Sequence, residues 1–330
     1  MPHLSISIAQ LEVKKRRLDA HGPLAPAVFN NLQEWFKVEL TYTSNALEGN
    51  TLSRAETALV VEKGLTVAGK TLREHLEAVN HAEGFDWIVE RRNSQPTAIG
   101  EQQLLDLHQL ILHKIDDLHA GRYRSVPVRI AGSRVVMPNP AKVPALMQEF
   151  VAWLQAQPAA TPQLAAEAHY RLVSIHPFVD GNGRTARLLM NWLLLQAGYP
   201  PAIVRLEDRQ RYLSSIEKGQ LGGSLADYYS LLSAAMERSL DIYLAAIEQN
   251  EQRQHLTGKS LLKIGELARL TQETVPTIRH WTKLGLLQVA EYTPSGYQLY
   301  EQEMVAVATE IRRLQNDRRL SLAEVGRELG

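Results

Sequence analysis

The stretch His176-Pro177-Phe178-Val179-Asp180-Gly181-Asn182-Gly183-Arg184-Thr185-Ala186-Arg187 decides how this chain is read. The segment before it, Leu164 to Ile175, carries Leu164, Ala168, Leu172 and Ile175 on one helical face. Pro177 disfavours the α conformation at His176, so that helix is expected to stop there and to hold the imidazole at its end. Gly181 and Gly183 allow a tight turn and close backbone approach. The run from Arg184 to Leu195 reads as a second helix, apolar almost all round and therefore central. A glycine-rich turn feeding a helix N-terminus presents free N–H groups and a positive dipole end, which is an anion site. Arg184 and Arg187, three apart, share a face and can grip separate oxygens of a polyphosphate. Asp180 beside them makes sense as a ligand for the Mg²⁺ that bridges phosphates. A base, a metal carboxylate, a phosphate cradle and two arginines describe phosphoryl or nucleotidyl transfer from a nucleotide.

These residues match every fixed position of HPFx[DE]GNGRxxR, and the stretch resembles the signature of the Fic family, whose members use ATP to place AMP on a hydroxyl of a target protein. The resemblance implies that His176 is the general base on a Tyr, Thr or Ser. It implies that Asp180 holds Mg²⁺, that Asn182 and the turn backbone of Gly181 and Gly183 hold the α- and β-phosphates, and that Arg184 and Arg187 hold the β- and γ-phosphates. Histidine suits the role, since its unperturbed pKa lies near neutrality.

Composition agrees with an ordinary soluble globular protein. The chain has 330 residues, enough for two domains, with 36 basic and 36 acidic side chains and an apolar fraction of 45 %. Zero formal charge gives no bulk reason to expect a nucleic-acid or membrane partner. Cysteine is absent, which excludes disulfides and thiolate chemistry and suits a reducing cytoplasm, the expected location. Met1 to Gln10 lacks the pattern of a signal peptide. The most apolar stretch, Leu188 to Ala197, is interrupted by Asn191 and too short to span a bilayer. The basic run Lys14 to Arg17 reads as a solvated helix face.

Asn31 to Leu47 reads as a helix, with Leu32, Trp35, Phe36, Leu40 and Leu47 in its stripe and Gly49 as a stop signal. At its end Ser44 and Glu48, four apart, share a face. The segment resembles the [ST]xxxE[GN] inhibitory motif of Fic proteins that carry it ahead of the signature. That resemblance implies that Glu48 reaches Arg187 and takes the place of the ATP γ-phosphate. The stretch from Gly64 to Thr71 matches the P-loop pattern GxxxxGK[ST], but a capping box at Ser53–Glu56 starts a helix before it where a strand is needed. A turn is expected, followed by a helix from about Leu72 to Arg91. His108, His113 and His119 do not align on one helix face, so no metal site is expected there. Ser125 to Met137 alternates like a strand hairpin, turning at Gly132–Ser133. It resembles the Fic flap, which implies that Val128, Arg129, Ile130, Ala131 and Gly132 pair with the target's backbone.

Beyond the signature, Gly198 to Pro201 breaks the central helix, and Asp208 to Ile216 and Ser224 to Tyr243 read as helices. Tyr212 and Tyr229 fall where the family tends to place residues around the adenine. Glu248 to Gly258 reads as a linker. The run Thr277 to Trp281 followed by Gly285-Leu286-Leu287, with Gly296 to Tyr300, resembles a MerR-type winged helix-turn-helix. Gln298 departs from that pattern, which usually has arginine there. Residues 259–330 hold ten Lys/Arg against nine Asp/Glu, a net charge of +1 and low for a DNA reader. DNA contact through Arg279 and Lys283 and a protein-binding wing both stay open.

The expectation is therefore a mainly α protein. Residues 1–110 form a helical region with the inhibitory helix. Residues 111–245 form a Fic core with a β-hairpin flap, 246–258 a linker and 259–330 a winged-helix domain. The leading function is Mg²⁺- and ATP-dependent AMP transfer to a protein hydroxyl, its own included, restrained by Glu48. Removal of AMP, with Glu48 positioning water, and a nucleotide-sensing DNA-binding regulator are the alternatives. A homodimer is an open expectation. The target protein is not legible in the sequence.

Overall fold

The computed structural model describes every residue except Met1, Pro23, Ala25, Lys259, Ser260, Pro294, Ser295 and Gly330. It comprises two compact units, residues 1–247 and 248–330. The first unit contains α1 (Pro2–Ala20), α2 (Pro26–Leu47), α3 (Arg54–Lys63), α4 (Leu72–Glu90), α5 (Glu101–Leu112), α6 (Val143–Gln155), α7 (Pro162–Ile175), α8 (Asn182–Gln196), α9 (Arg209–Gln220) and the start of α10 (Ala226–Gly258). Among the described residues no helix is long and apolar enough to cross a membrane.

Helix α8 is the axis of this unit. Every residue from Arg184 to Leu194 is buried, which is why its apolar residues run all round. Helices α7, α4, α5 and α2 pack against it and share one core, with Phe36, Phe85, Leu107, Leu172 and Trp192 at its centre. Asn191, the polar interruption, accepts from the Ala202 amide at 2.7 Å and so ties down the turn that ends the helix. Helix α7 stops at Ile175 as Pro177 dictates. Helix α4 starts on a Thr71–Glu74 capping box, one residue after the P-loop-like segment. That segment has no strand before it; Lys70 spends its ammonium on Thr51, 3.1 Å to the hydroxyl.

Three sequence expectations need correction. The basic run in α1 is not all solvated face: Lys14 ties α1 to α10 through Glu237 and Asp241, at 2.8 and 2.6 Å. The flap at 125–137 has its turn, with the Ser133 amide on the Ile130 carbonyl at 3.1 Å, but no strand ladder. Its sides carry Pro127 and among the described residues no third strand offers a partner, so the backbone is held instead by Arg124 at its base and by Glu217, which accepts from the Arg134 amide at 2.8 Å. The segment 248–258, expected as a linker, continues α10.

The second unit has β1 (Leu262–Lys263), α11 (Ile264–Leu270), α12 (Val275–Lys283), β2 (Glu291–Tyr292), β3 (Gln298–Tyr300), α13 (Glu303–Arg318) and α14 (Leu322–Leu329). The strands form an antiparallel sheet in the order β1-β3-β2. Trp281, Ile278 and Tyr300 centre a separate small core. Arg279, His280 and Lys283 lie exposed on α12. Gln298, the departure from the expected arginine, accepts from the Tyr300 hydroxyl at 3.0 Å.

The first unit buries three neutral histidines. His81 lies against Thr41, and His169 sits between Tyr228 and Tyr212 at 2.7 and 2.6 Å. Burial, aided by the nearby Arg187, pushes both down to about 3. Burial pushes His108 down to about 4. In the unfolded chain each titrates near 6.5, so between about pH 6.5 and 4 the unfolded state binds protons that the folded state refuses. Stability is therefore full above pH 6.5 and falls as pH drops, by up to ~1.4 kcal/mol per pH unit for each such histidine. Urea midpoints measured from pH 7.5 to 5 should decline below pH 6.5; a flat profile would contradict the assignment of neutral buried imidazoles.

Candidate active site

The signature stretch is the connection between α7 and α8. His176 is the residue that ends α7, in the left-handed conformation (φ 50°), with its amide still bonded to the Leu172 carbonyl at 2.9 Å. A non-glycine residue there is strained by roughly 1–2 kcal/mol and needs its surroundings to hold it. Arg124 does so. Its Nε donates to the His176 carbonyl at 2.8 Å and its Nη2 to the Pro138 carbonyl at 2.6 Å, while its own amide donates to the Pro177 carbonyl at 2.9 Å. The imidazole Nδ1 faces the Val173 carbonyl at 3.4 Å. That contact favours a proton on Nδ1 and a lone pair on Nε2. Burial lowers the His176 pKa below the usual value, against the opposing pull of Val173, Glu48 and Asp180. The side chain is thus neutral at neutral pH, as a base must be.

The turn itself is built from inside. Gly181 takes φ 78°, and a Cβ there would press on the His108 ring. His108 stacks on Phe178, centroids 3.6 Å apart and planes within 3°. Its Nδ1 accepts from the Gly121 amide and its Nε2–H donates to the Asp180 carbonyl, both at 3.0 Å, so the tautomer is fixed. Asn182 was expected at the phosphates. Its side chain is instead spent inside the loop: Oδ1 accepts from the Phe178 amide at 3.0 Å and Nδ2 donates to the Phe178 carbonyl at 2.9 Å. A buried amide with both ends satisfied shapes the loop from inside.

Both arginines of α8 are buried, Arg184 to 2 % and Arg187 to 5 % exposure. Arg187 reaches the end of α2. Its Nε donates to Ser44 Oγ and its Nη2 to the Ser44 carbonyl, both at 2.9 Å, and Nη2 also donates to Glu48 Oε1 at 2.7 Å. The Glu48 carboxylate lies so close over Gly183 that a Cβ there would overlap Oε1 and crowd Arg187. An anion thus already sits on the first turn of α8. Arg184 donates to Asp180 Oδ1 at 3.2 Å and its Nη1 faces Glu77 at 3.4 Å, yet among the described residues neither Nε nor Nη1 has a hydrogen-bond partner. Buried guanidinium donors without acceptors are costly, and an incoming anion would satisfy them. Asp180 also takes the Gly181 amide at 2.6 Å and Arg73 at 2.7 Å. Burial would raise its pKa, but Arg184, the Gly181 amide and Arg73 together hold it below the usual range.

The structure therefore brings together His176, Asp180, Gly181, Gly183, Arg184, Arg187, Ser44 and Glu48. It does not bring in Tyr212 as expected. That ring is 1 % exposed, its hydroxyl donates to His169 and it lies against the Arg187 guanidinium, so it forms a floor under the arginine and offers no open face for adenine. Tyr229 is partly buried with its hydroxyl on Glu167. Sequence reasoning missed Arg73, Glu77, His108 and Arg124. A signal existed for the α4 pair: Arg73, Glu77, Asn80, His81 and Gly84 recur at helical spacing, and a polar stripe on a helix that faces inward marks a site.

Comparison with known proteins places these features. Residues 98–194 match the Fic/DOC family and residues 262–329 match the MerR HTH family regulatory proteins. The chain is 35 % identical over 243 residues to the protein adenylyltransferase Fic of Drosophila melanogaster, covering 72 % of this chain and 48 % of that one. It thus spans about half the length of the curated relatives it matches. A Fic-domain-containing signalling protein of Bacteroides thetaiotaomicron superposes with a TM-score of 0.65 at 32 % identity, covering 74 % of this chain and 97 % of that one. Fic-1 of C. elegans (residues 134–508) gives 0.64 at 29 %, covering 74 % of each chain.

Since Asn182 ties both backbone groups of Phe178, Asn182→Ala strands a buried donor and a buried acceptor. It should cost about 1–3 kcal/mol. Urea unfolding of the variant beside wild type checks this; an unchanged midpoint would mean that the loop does not depend on the amide.

Proposed function

The chain belongs to the Fic family, and on that premise we propose that it transfers AMP from ATP to a hydroxyl of a protein target and is held off by Glu48. The contact that carries the reading is the 2.7 Å pair between Glu48 and Arg187, flanked by two bonds from Arg187 to Ser44. A buried arginine at a helix N-terminus, covered by a removable carboxylate, is an anion site with its own plug.

In the open state the nucleotide phosphates lie on the amides of Asn182 and Gly183, the Gly181 amide being held by Asp180 Oδ1, with Arg184 and Arg187 on their outer oxygens. His176 Nε2 takes the proton of the target hydroxyl. That oxygen bonds to the α-phosphorus, the bond to the β-phosphate's bridging oxygen breaks, and pyrophosphate leaves. Asp180 supplies one carboxylate, 45 % exposed, a donor set that fits Mg²⁺ because that ion keeps waters and takes its other ligands from phosphates. Mg²⁺ bound there would neutralise phosphate charge. The segment Val128 to Gly132 lies beyond the Arg124 anchor and would meet the target backbone. In the second unit the MerR match, together with the exposed Arg279 and Lys283 on α12, supports DNA contact.

Glu48→Gly should raise labelled-AMP transfer from ATP to the protein itself or to lysate proteins. An Arg–carboxylate bond is worth about 1.5–3 kcal/mol. Because Glu48 is 43 % exposed, the lower end applies, roughly a tenfold gain. His176→Ala in that background should lose about 10²–10⁴-fold while still binding nucleotide. If Glu48→Gly gains nothing, and instead abolishes release of AMP from a premodified target, the enzyme is a hydrolase that uses Glu48.

For the second unit, DNA binding should weaken steeply with salt and fall in Arg279→Ala/Lys283→Ala. A gel shift at low salt on DNA from the protein's own promoter region tests it, and no shift would favour a protein-binding wing.

A further inference from the structure

Asp180 Oδ1 is committed to the loop, taking the Gly181 amide and Arg184. Its outer oxygen, Oδ2, is occupied from outside the signature by Arg73 Nη2 at 2.7 Å. We propose that Arg73 is a positioning residue of this site, a monovalent cation that stands where the divalent one belongs and has to leave Asp180 before a metal–nucleotide is held there. This rests on the reading of Asp180 as a metal carboxylate.

Three observations carry it. The first is charge balance. Arg73, Arg184 and Arg187 face Glu48, Glu77 and Asp180 through contacts of 2.7 to 3.4 Å, so the closed cluster is neutral. A dication added to it would meet three guanidinium groups. The second is exposure. The Arg184 side chain is 2 % exposed, whereas that of Arg73 is 57 % exposed at the first turn of α4. Of the two arginines on Asp180, Arg73 alone can swing away at little cost. The third is a shared carboxylate. Glu77 Oε1 takes Arg73 Nε at 3.2 Å, and Glu77 Oε2 takes Asn50 Nδ2 at 2.9 Å. Asn50 lies two residues past Glu48. The plug on Arg187 and the cation on Asp180 are thereby joined at Glu77, and release of one loosens the other.

A cation that competes with metal but attracts nucleotide leaves a signature of opposite signs. The probes are Mn²⁺ alone, followed by its free-ion EPR signal, and a non-hydrolysable ATP analogue with and without Mn²⁺. The full chain is used with Glu48→Gly, so that the plug does not mask binding. Arg73→Ala should tighten Mn²⁺ by about two- to fivefold, the range for an exposed pair, and weaken the metal-free analogue by a similar factor. Arg73→Lys should restore analogue binding. If both affinities move in the same direction, Arg73 is merely structural and the proposal is overturned; an unchanged Mn²⁺ affinity overturns it too. If neither the Mn²⁺ nor the metal-free analogue affinity depends on Arg73 while the Mn²⁺–analogue complex still binds, this inference falls while the nucleotide reading stands. If no variant takes up the Mn²⁺–analogue complex at all, both fall. Thermal melting confirms that each variant is folded.

Discussion

A guanidinium sealed inside a helical core is the constraint on which this site depends. Arg187 leaves 5 % of its surface exposed, and a charge so buried must be paired. The Ser44 hydroxyl and carbonyl, the Glu48 carboxylate and the Tyr212 hydroxyl all converge on it. Ser44 and Glu48 come from the end of α2 and Tyr212 from α9, so satisfying one charge on α8 fixes both elements against it.

The turn ahead of Arg187 shows the same economy. A strained His176 is held by Arg124, a flat peptide loop is clamped by Asn182, and His108 closes it from below through Phe178 and the Asp180 carbonyl. The Asn182 amide and both ring nitrogens of His108 are spent on the loop itself. Beside the turn, Arg184 keeps its Nε without a hydrogen-bond partner among the described residues and its Nη1 3.4 Å from Glu77. Cost accepted at the anion site is offset in the packing around it.

Much of the site was legible in the chain itself. Glycine and proline positions set the ends of α7 and α8, because backbone sterics act locally. Ser44 and Glu48 could be placed on one face from their spacing. Side chains that act through tertiary contacts were misread. Asn182 and Tyr212 are polar residues beside a phosphate motif, and only packing reveals that one clamps its own loop and the other supports an arginine. The alternation at 125–137 suggested strands, but a ladder needs a partner, and alternation cannot report its absence.

The sequence by itself determined the mainly helical class, the loop between α7 and α8, the arginine pair on α8 and the carboxylate at the end of α2. All follow from periodicities and backbone rules that operate within a dozen residues. Tertiary structure alone decided which groups meet across more than a hundred positions. Arg73 lies 107 residues from Asp180, a pair that only the fold revealed, whereas the Glu48–Arg187 pair, 139 apart, was implied by the family resemblance and not by spacing. Such pairs form because the core brings α2 and α4 against α8, and buried charges then take whichever opposite charge lies within reach.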